Sequence, residues 1–181
     1  MQRVFVRRWR SGLPGVLFLV CVWALAAGVR GAERTVRILQ TTDIHGWVTE
    51  SDELPEGGGG WLRLATLIRE KRREAGAERT LLIDSGDAVQ GTLVAAVSRG
   101  QVGVDLFRCL DYDVCVPGNH ELDFGLHRFH DLMGVLGERV LCGNLTYRID
   151  GETHSFRGWR IFERGGVRVA VIGAEAQYLK Q

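Results

Sequence analysis

The segment from Gly118 to Asp123 is the part of the chain best equipped for chemistry. It follows a strand-like run, and its polar side chains are an amide, an imidazole and two carboxylates: Asn119, His120, Glu121 and Asp123. These groups donate oxygen or nitrogen atoms to metal ions, and an imidazole also moves protons. Such a concentration in one short segment indicates a catalytic or metal-binding loop.

Two earlier segments have the same layout. Asp43 and His45 follow the apolar run from Val36 to Leu39, and Asp87 follows the run from Leu81 to Asp84. In open α/β sheets, ligands bind outside the carboxyl ends of the strands. We therefore expect the three segments to meet in one site at one edge of a sheet.

The residue types at these positions suit a pair of divalent metal ions. Two ions about 3.5 to 4 Å apart need a shared carboxylate, with oxygen and imidazole donors on either side. Asp87 is the expected bridge, and Asn119 supplies a neutral carbonyl oxygen. Asp43 and His45 reach the same ion only if the chain leaves strand geometry, and Gly46 permits such a turn. Mn, Zn, Fe, Mg or Co suits this donor set better than copper.

Three motifs in order, D-x-H-G, G-D-x-x-Q-G and G-N-H-E-x-D, resemble those of the calcineurin-like metallophosphoesterases, and within them the bacterial secreted 5′-nucleotidases. The resemblance covers residues 36–174. It implies that Asp43 and His45 hold a first metal ion, that Asp87 bridges, and that Asn119 holds a second. It also implies a nucleotide or other small phosphoester as the substrate.

The resemblance assigns catalysis to His120, which would contact the scissile phosphate while Asp123 orients and charges it. Elementary electrostatics supports this pairing. A phosphoryl transition state carries spread negative charge, which a charged imidazole stabilises, and a neighbouring carboxylate favours the charged form. His120 can also protonate the leaving alcohol. The residues alone leave open whether Glu121 supports the site or is merely solvated.

The implied fold is a four-layer αββα sandwich, of which residues 32–181 would form the N-terminal part, with a mixed sheet and flanking helices. The resembled family adds three histidine ligands, one alone and two in a G-H-x-H motif, and a C-terminal nucleotide-binding domain. No G-H-x-H sequence follows the third motif here. We therefore expect little activity from the 181 residues alone. The alternatives are a non-catalytic binding protein, a truncated fragment, or a 2′,3′-cyclic-nucleotide phosphodiesterase or thiosulfohydrolase of the same fold.

Residues 1–31 have the composition of a secretory signal. They contain five arginines and no acidic residue, and the apolar run from Leu13 to Val29 lies among them. This order predicts export to the periplasm or the medium, with cleavage near Gly28 or Gly31. The pair Arg7 and Arg8 leaves a twin-arginine signal open. The apolar run also leaves open an uncleaved membrane anchor.

The net charge bears on possible partners, and the cysteine positions bear on disulfide formation. Without the signal the chain retains 18 basic and 22 acidic residues, so nucleic-acid binding is not expected. Three cysteines then remain, Cys109, Cys115 and Cys142. Cys115 and Cys142 lie in apolar runs, and we expect buried free thiols rather than a disulfide.

Hydrophobic periodicity predicts alternating strands and helices. Strands are expected at 36–41, 80–84, 114–116, 140–142 and 167–172, helices at 61–75 and within 92–110, and a hairpin around 154–163. A second apolar helical stripe begins at Leu122 and ends at Leu136. The remaining histidines, His127, His130 and His154, have no neighbouring ligands in sequence and are expected on the solvated surface.

Overall fold

A three-stranded parallel sheet lies at the centre of the computed structural model, which describes residues 33–49 and 60–175. Strand β1 covers Arg37–Thr41, β2 covers Thr80–Asp84 and β3 covers Val114–Cys115, in the order β1-β2-β3. These strands agree with the predicted ones to within one residue at each end. The predicted signal segment lies outside the described residues.

Among the described residues, four helices accompany the sheet: α1 at Trp61–Ala75, α2 at Leu93–Ser98, α3 at Gln101–Cys109 and α4 at Leu126–Leu136. Helix α1 buries Trp61, Ala65 and Ile68, one face of its 3.6-residue period. It ends at Gly76, whose φ of 89° suits glycine and ends the helical geometry. Short 3₁₀ helices occur at Ala77–Arg79, Asn119–Leu122 and Gly137–Arg139.

Two antiparallel hairpins follow α4, and the hairpin predicted around residues 154–163 is wrong. Strands β4 (Thr146–Ile149) and β5 (Glu152–Ser155) form the first, and β6 (Trp159–Arg164) and β7 (Val167–Ile172) form the second. The turns are made by residues 150–151 and 165–166, all with positive φ. Two-residue turns of this kind match the twist of paired strands, whereas residues 156–158 only connect the hairpins.

The predicted strand at residues 140–142 is reduced to single pairings. Val140 pairs with Cys115, and Leu141 pairs with Arg157 at the entrance to β6. These bridges connect the parallel sheet to the second hairpin, so the sheet arrangement is mixed, as expected.

The core has two parts, one on each face of the parallel sheet. Helices α1, α3 and α4 cover one face around an aromatic group in edge contact: Trp61, Phe107 and Tyr112. On the other face Leu81 and Val114 pack with Phe162 of the second hairpin. Helices, parallel sheet and hairpin therefore form three successive layers, in agreement with a partial αββα sandwich.

The described cysteines Cys109, Cys115 and Cys142 are free, and the latter two are buried, which confirms the thiol prediction. Within the described ranges, none of the helices is both long and apolar enough to traverse a bilayer.

Candidate metal centre

The loops after β1 and β2 run side by side and extend the pairing of the two strands. Backbone N–H groups of Asp43 and His45 donate to the carbonyl oxygens of Gly86 and Asp87, each at 2.9 Å. The N–H of Gly46 donates to the carbonyl of Ala88 at the same distance. The two loops are therefore fixed in register, and their polar side chains lie at the carboxyl edge of the sheet, as predicted from the sequence.

Three polar side chains converge at this edge. His45, Asp87 and His120 each offer one donor atom, and these atoms all lie within 4.8 Å of one another. Asp43 Oδ1 lies 3.8 Å from Nε2 of His45, and its side chain is 59% exposed. The imidazoles of His45 and His120 meet edge to face with 5.1 Å between their centroids. Three of the predicted ligating or catalytic side chains thus share one cleft, and Asp43 borders it.

The ligand-bearing loops use unfavourable backbone geometry. Asp43, His45 and Asp87 have φ values of 54°, 51° and 58°, half of the six non-glycine residues with positive φ among those described. The left-handed region costs an L-residue about 1 to 2 kcal/mol. The predicted departure from strand geometry between Asp43 and His45 is confirmed, and Gly46 continues it with a φ of 68°. Such strain concentrates at functional sites.

Hydrogen bonds orient the imidazole of His45. Its Nδ1 lies 3.2 Å from the carbonyl oxygen of Gln90, which can only accept. The assigned proton therefore sits on Nδ1, and Nε2 keeps its lone pair. A carbonyl behind one nitrogen and a free lone pair on the other is the usual arrangement of a metal-ligating histidine. The imidazole of His45 together with the carboxylates of Asp43 and Asp87 is a donor set that fits a divalent transition metal ion.

His120 is held by two carboxylates. Its backbone N–H donates to Asp87 Oδ1 at 2.9 Å, and its Nδ1 lies 2.8 Å from Asp123 Oδ2. The hydrogen bond that His120 donates to Asp123 is the main reason that the pKa of His120 lies above its ordinary value, and the nearby charges of Asp123 and Asp87 act in the same direction. The predicted pairing of His120 with Asp123 is therefore present, and the fixed Nδ1 leaves Nε2 for a ligand.

Glu121 belongs to the support of the site. Its side chain is buried, and its carboxylate accepts from the backbone N–H groups of Asp87, Ala88 and Gly118 at 2.9, 2.8 and 2.6 Å. Burial raises the pKa of the Glu121 carboxyl, while these hydrogen bonds oppose the rise. One carboxylate thus ties the loop of Asp87 to the loop of His120.

Asn119 lies at the start of the 3₁₀ helix that contains Glu121, and it is exposed. Its assignment as a metal ligand stays a prediction, as do the individual roles of Asp43, His45, Asp87, His120 and Asp123.

Sequence reasoning gave no role to Asp84, the last residue of β2. The side chain is 1% exposed and accepts from Thr41 Oγ1 at 2.5 Å and from the Gly86 N–H at 2.9 Å. Burial raises its pKa to about 7. A polar residue closing an otherwise apolar strand was the only signal in the sequence, and it does not distinguish a buried support from an exposed ligand.

The structure is that of an α/β protein in which helices cover one face of a parallel sheet and a hairpin covers the other. Histidine and aspartate side chains at the carboxyl edge of the sheet form a candidate metal site. The family model of the calcineurin-like phosphoesterases matches residues 36–172. The chain belongs to that family. Calcineurin-like phosphoesterases use divalent metals, which agrees with the donor set in the cleft.

Similar proteins include phosphoesterases of two kinds. A snake venom 5′-nucleotidase of Gloydius brevicauda is 37% identical over 179 residues, covering 90% of this chain and 29% of the relative. A 2′,3′-cyclic-nucleotide 2′-phosphodiesterase/3′-nucleotidase of Haemophilus influenzae is 32% identical over 120 residues, covering 60% of this chain and 18% of the relative. The chain therefore spans less than a third of the length of these relatives.

A solved structure has the same fold. The 5′-nucleotidase precursor of Thermus thermophilus superposes with a TM-score of 0.64 at 28% identity, covering 78% of this chain and 28% of that one. The fold and family expectations from the sequence are thereby confirmed.

Proposed function

We propose that the protein is an exported, metal-dependent phosphoester hydrolase that acts on nucleotides. The observation that carries the proposal is the convergence of His45, Asp87 and His120 within 4.8 Å in a calcineurin-like phosphoesterase. Residues 1–31 serve as the export signal, and residues 32–181 form part of the catalytic domain. The arginine-flanked apolar run supports export.

Two divalent metal ions fit the proposed ligands. Asp43 and His45 would hold the first ion, Asn119 would hold the second, and Asp87 would be available to both. Bound ions of this kind acidify a water molecule and polarise a phosphoryl oxygen. The Gln90 carbonyl supports this assignment because it keeps the Nε2 lone pair of His45 available.

His120 provides positive charge at the phosphate. Asp123 accepts the Nδ1 proton and so favours the imidazolium form, whose Nε2 proton faces the substrate. That charge stabilises the negative oxygens of the phosphoryl transition state, and the same proton can pass to the leaving alcohol. Asp123 acts through His120, so it is a positioning residue.

A nucleoside 5′-monophosphate is the favoured substrate, because the snake venom 5′-nucleotidase aligns over 90% of this chain at 37% identity. A 2′,3′-cyclic nucleotide is the second candidate. The Haemophilus influenzae relative at 32% identity carries both cyclic phosphodiesterase and 3′-nucleotidase in its name.

Metal binding and hydrolysis are tested separately. Calorimetry of the metal-stripped 181-residue chain with Mn²⁺ should give binding that Asp87→Ala abolishes and His120→Ala largely retains. The exposed His127, replaced by alanine, is the matched control. Unchanged Mn²⁺ binding by the Asp87→Ala chain would overturn the metal assignment.

Hydrolysis is assayed on the chain and on a chimera in which the C-terminal part of the Thermus thermophilus 5′-nucleotidase follows residue 175. The chimera supplies the histidines that the family resemblance implies. We expect little activity from the 181-residue chain, and from the chimera we expect metal-dependent release of phosphate from 5′-AMP that is lost in both Asp87→Ala and His120→Ala. Faster hydrolysis of 2′,3′-cyclic AMP would favour the second substrate. A soluble, metal-loaded chimera that hydrolyses neither nucleotide would contradict the proposed function.

A further inference from the structure

The three histidines outside the candidate metal centre gather at one place, where α4 meets the β4–β5 hairpin. The rings of His130 and His154 lie 4.6 Å apart, centroid to centroid. Both side chains are half-buried, so the surface position expected from the sequence is wrong for them. It is right for His127, whose side chain is 77% exposed and pairs with Asp150 at 3.2 Å.

Tyr147 completes a cluster with His130 and His154, which we call the Tyr147 cluster. The hydroxyl of Tyr147 lies 2.9 Å from Nδ1 of His130. Tyr147 also pairs with His154 across the hairpin, and their rings stack with centroids 5.4 Å apart. Three side chains from a helix and two strands are therefore in mutual contact.

Of the ring nitrogens of His130 and His154, only Nδ1 of His130 has a hydrogen-bond partner among the described residues. The Tyr147 hydroxyl occupies Nδ1 of His130, so Nε2 is the nitrogen left for another partner. Among the described residues, the side chain of His154 makes ring contacts but no hydrogen bond. Imidazole nitrogens that no protein atom occupies are open to solvent, and imidazole nitrogen is the commonest protein ligand of metal ions.

We propose that His130 and His154 bind a divalent transition metal ion at a second site, separate from the candidate metal centre. Zn²⁺, Ni²⁺ and Cu²⁺ are the ions that imidazole ligands suit, whereas Mg²⁺ and Ca²⁺ require oxygen ligands. Tyr147 fixes the orientation and tautomer of His130, the function of an outer-shell partner in metal sites.

The site has two protein ligands. The candidate metal centre is the sole group of three or more His, Cys, Asp or Glu donors within ligating distance in residues 33–49 and 60–175. Water therefore fills the other coordination positions, and the affinity is lower than that of a site with three or four protein ligands. Because one ligand lies on α4 and the other on β5, the ion links the helix to the hairpin and stabilises the folded state by mass action.

The test follows the histidine ring protons by NMR while Ni²⁺ is added to the full chain. An Asp87→Ala background separates this site from the candidate metal centre, so the result does not depend on the proposed function. We expect Ni²⁺ to broaden the ring signals of His130 and His154 at substoichiometric concentration and to raise the melting temperature.

His154→Gln should abolish both effects, and His127→Gln, on the exposed side of α4, should retain them. Tyr147→Phe keeps the ring and removes the hydroxyl, so it should weaken Ni²⁺ binding about tenfold. Circular dichroism of the metal-free variants verifies that they fold. If a variant does not fold, the unsubstituted rings still decide the question. Ring signals of His130 and His154 that stay sharp beyond one equivalent of Ni²⁺ would overturn the proposal.

Discussion

The carboxylate of Glu121 accepts the backbone N–H of Asp87 at 2.9 Å, across 34 residues of sequence. The same carboxylate accepts the N–H of Gly118, the residue before Asn119 and His120. One buried side chain therefore helps to set the separation between the proposed bridging ligand and the proposed catalytic histidine, together with the hydrogen bond from the His120 N–H to Asp87 Oδ1. Glu121 itself would not contact the substrate, because it acts by positioning Asp87 and His120.

Replacement of Glu121 by glutamine tests this relationship. The amide presents its own N–H atoms to backbone N–H groups and removes the charge that strengthens the remaining hydrogen bonds. We expect Glu121→Gln to lower the free energy of unfolding by about 3 kcal/mol and to weaken Mn²⁺ binding. Urea denaturation and calorimetry measure the two effects.

Glu138→Gln is the control for that substitution. Glu138 also lies in a short 3₁₀ helix, Gly137–Arg139, but it is exposed. We expect its free energy of unfolding to stay within about 0.5 kcal/mol of the wild-type value. Equal effects of the two substitutions would show that Glu121 has no special structural role.

The sequence predicted α1 and β2 to the residue because their signals are local. Trp61, Ala65 and Ile68 repeat with the period of a helix, and Gly76 marks its end. The one hairpin predicted, around residues 154–163, is misplaced because apolar alternation does not indicate where a strand pair turns. The turn signals at residues 150–151 and 165–166, Asp-Gly and Gly-Gly, were the decisive information.

For the site, residue type and strand ends predicted the segments that converge. Neither predicts which carboxylate points inward. Glu121 and Asp123 differ by two positions in one motif, yet Glu121 is buried under backbone N–H groups and Asp123 faces solvent beside His120. That difference depends on how the β2 and β3 loops pack, which is a tertiary property. The same holds for His130 and His154, which are 24 residues apart in sequence.

Gly118 has no space for a side chain. A Cβ there would lie 2.4 Å from Oδ1 of Asp87 and 2.8 Å from its backbone N. Gly118→Ala should therefore displace Asp87, lower the melting temperature and weaken Mn²⁺ binding, which calorimetry detects.

The control is Gly134, inside α4, where no atom lies within 4 Å of an added Cβ. Gly134→Ala should stabilise the protein by about 0.5 to 1 kcal/mol and leave Mn²⁺ binding unchanged. A Gly118→Ala protein with wild-type metal affinity would contradict the close packing.

The raised pKa of Asp84 should make the free energy of unfolding depend on pH. Burial raises its pKa from 3.8 to about 7 in the folded state. The folded state therefore binds the proton more tightly, and the contribution to stability is full below pH 3.8 and declines as the pH rises towards 7. The side-chain amide of Asp84→Asn can still accept the Gly86 N–H and can donate to Thr41 Oγ1, but it does not titrate. In EDTA, Asp84→Asn should remove up to about 1.4 kcal/mol per pH unit of this decline. Parallel stability curves for the two proteins between about pH 4.5 and 6.5 would refute the assignment.

Asp123 should control the protonation of His120. The hydrogen bond that His120 donates to Asp123 is the largest cause of the raised pKa of His120, whose ordinary value is 6.5. Asp123→Asn removes the charge and should move the pKa of His120 back towards 6.5. Because the folded-state pKa is raised, the pair stabilises the protein at low pH, and this contribution is lost as the pH rises through the pKa of His120.

NMR titration of the His120 ring in metal-free protein measures the shift. Asp131→Asn, which changes an exposed carboxylate on α4, is the control and should leave the titration of His120 unchanged. In the chimera, Asp123→Asn should lower kcat for 5′-AMP more than it changes KM, since the charged imidazole acts chiefly in the transition state. A His120 titration curve that is identical in the wild-type and Asp123→Asn proteins would mean that the hydrogen bond between them does not set the charge of the imidazole.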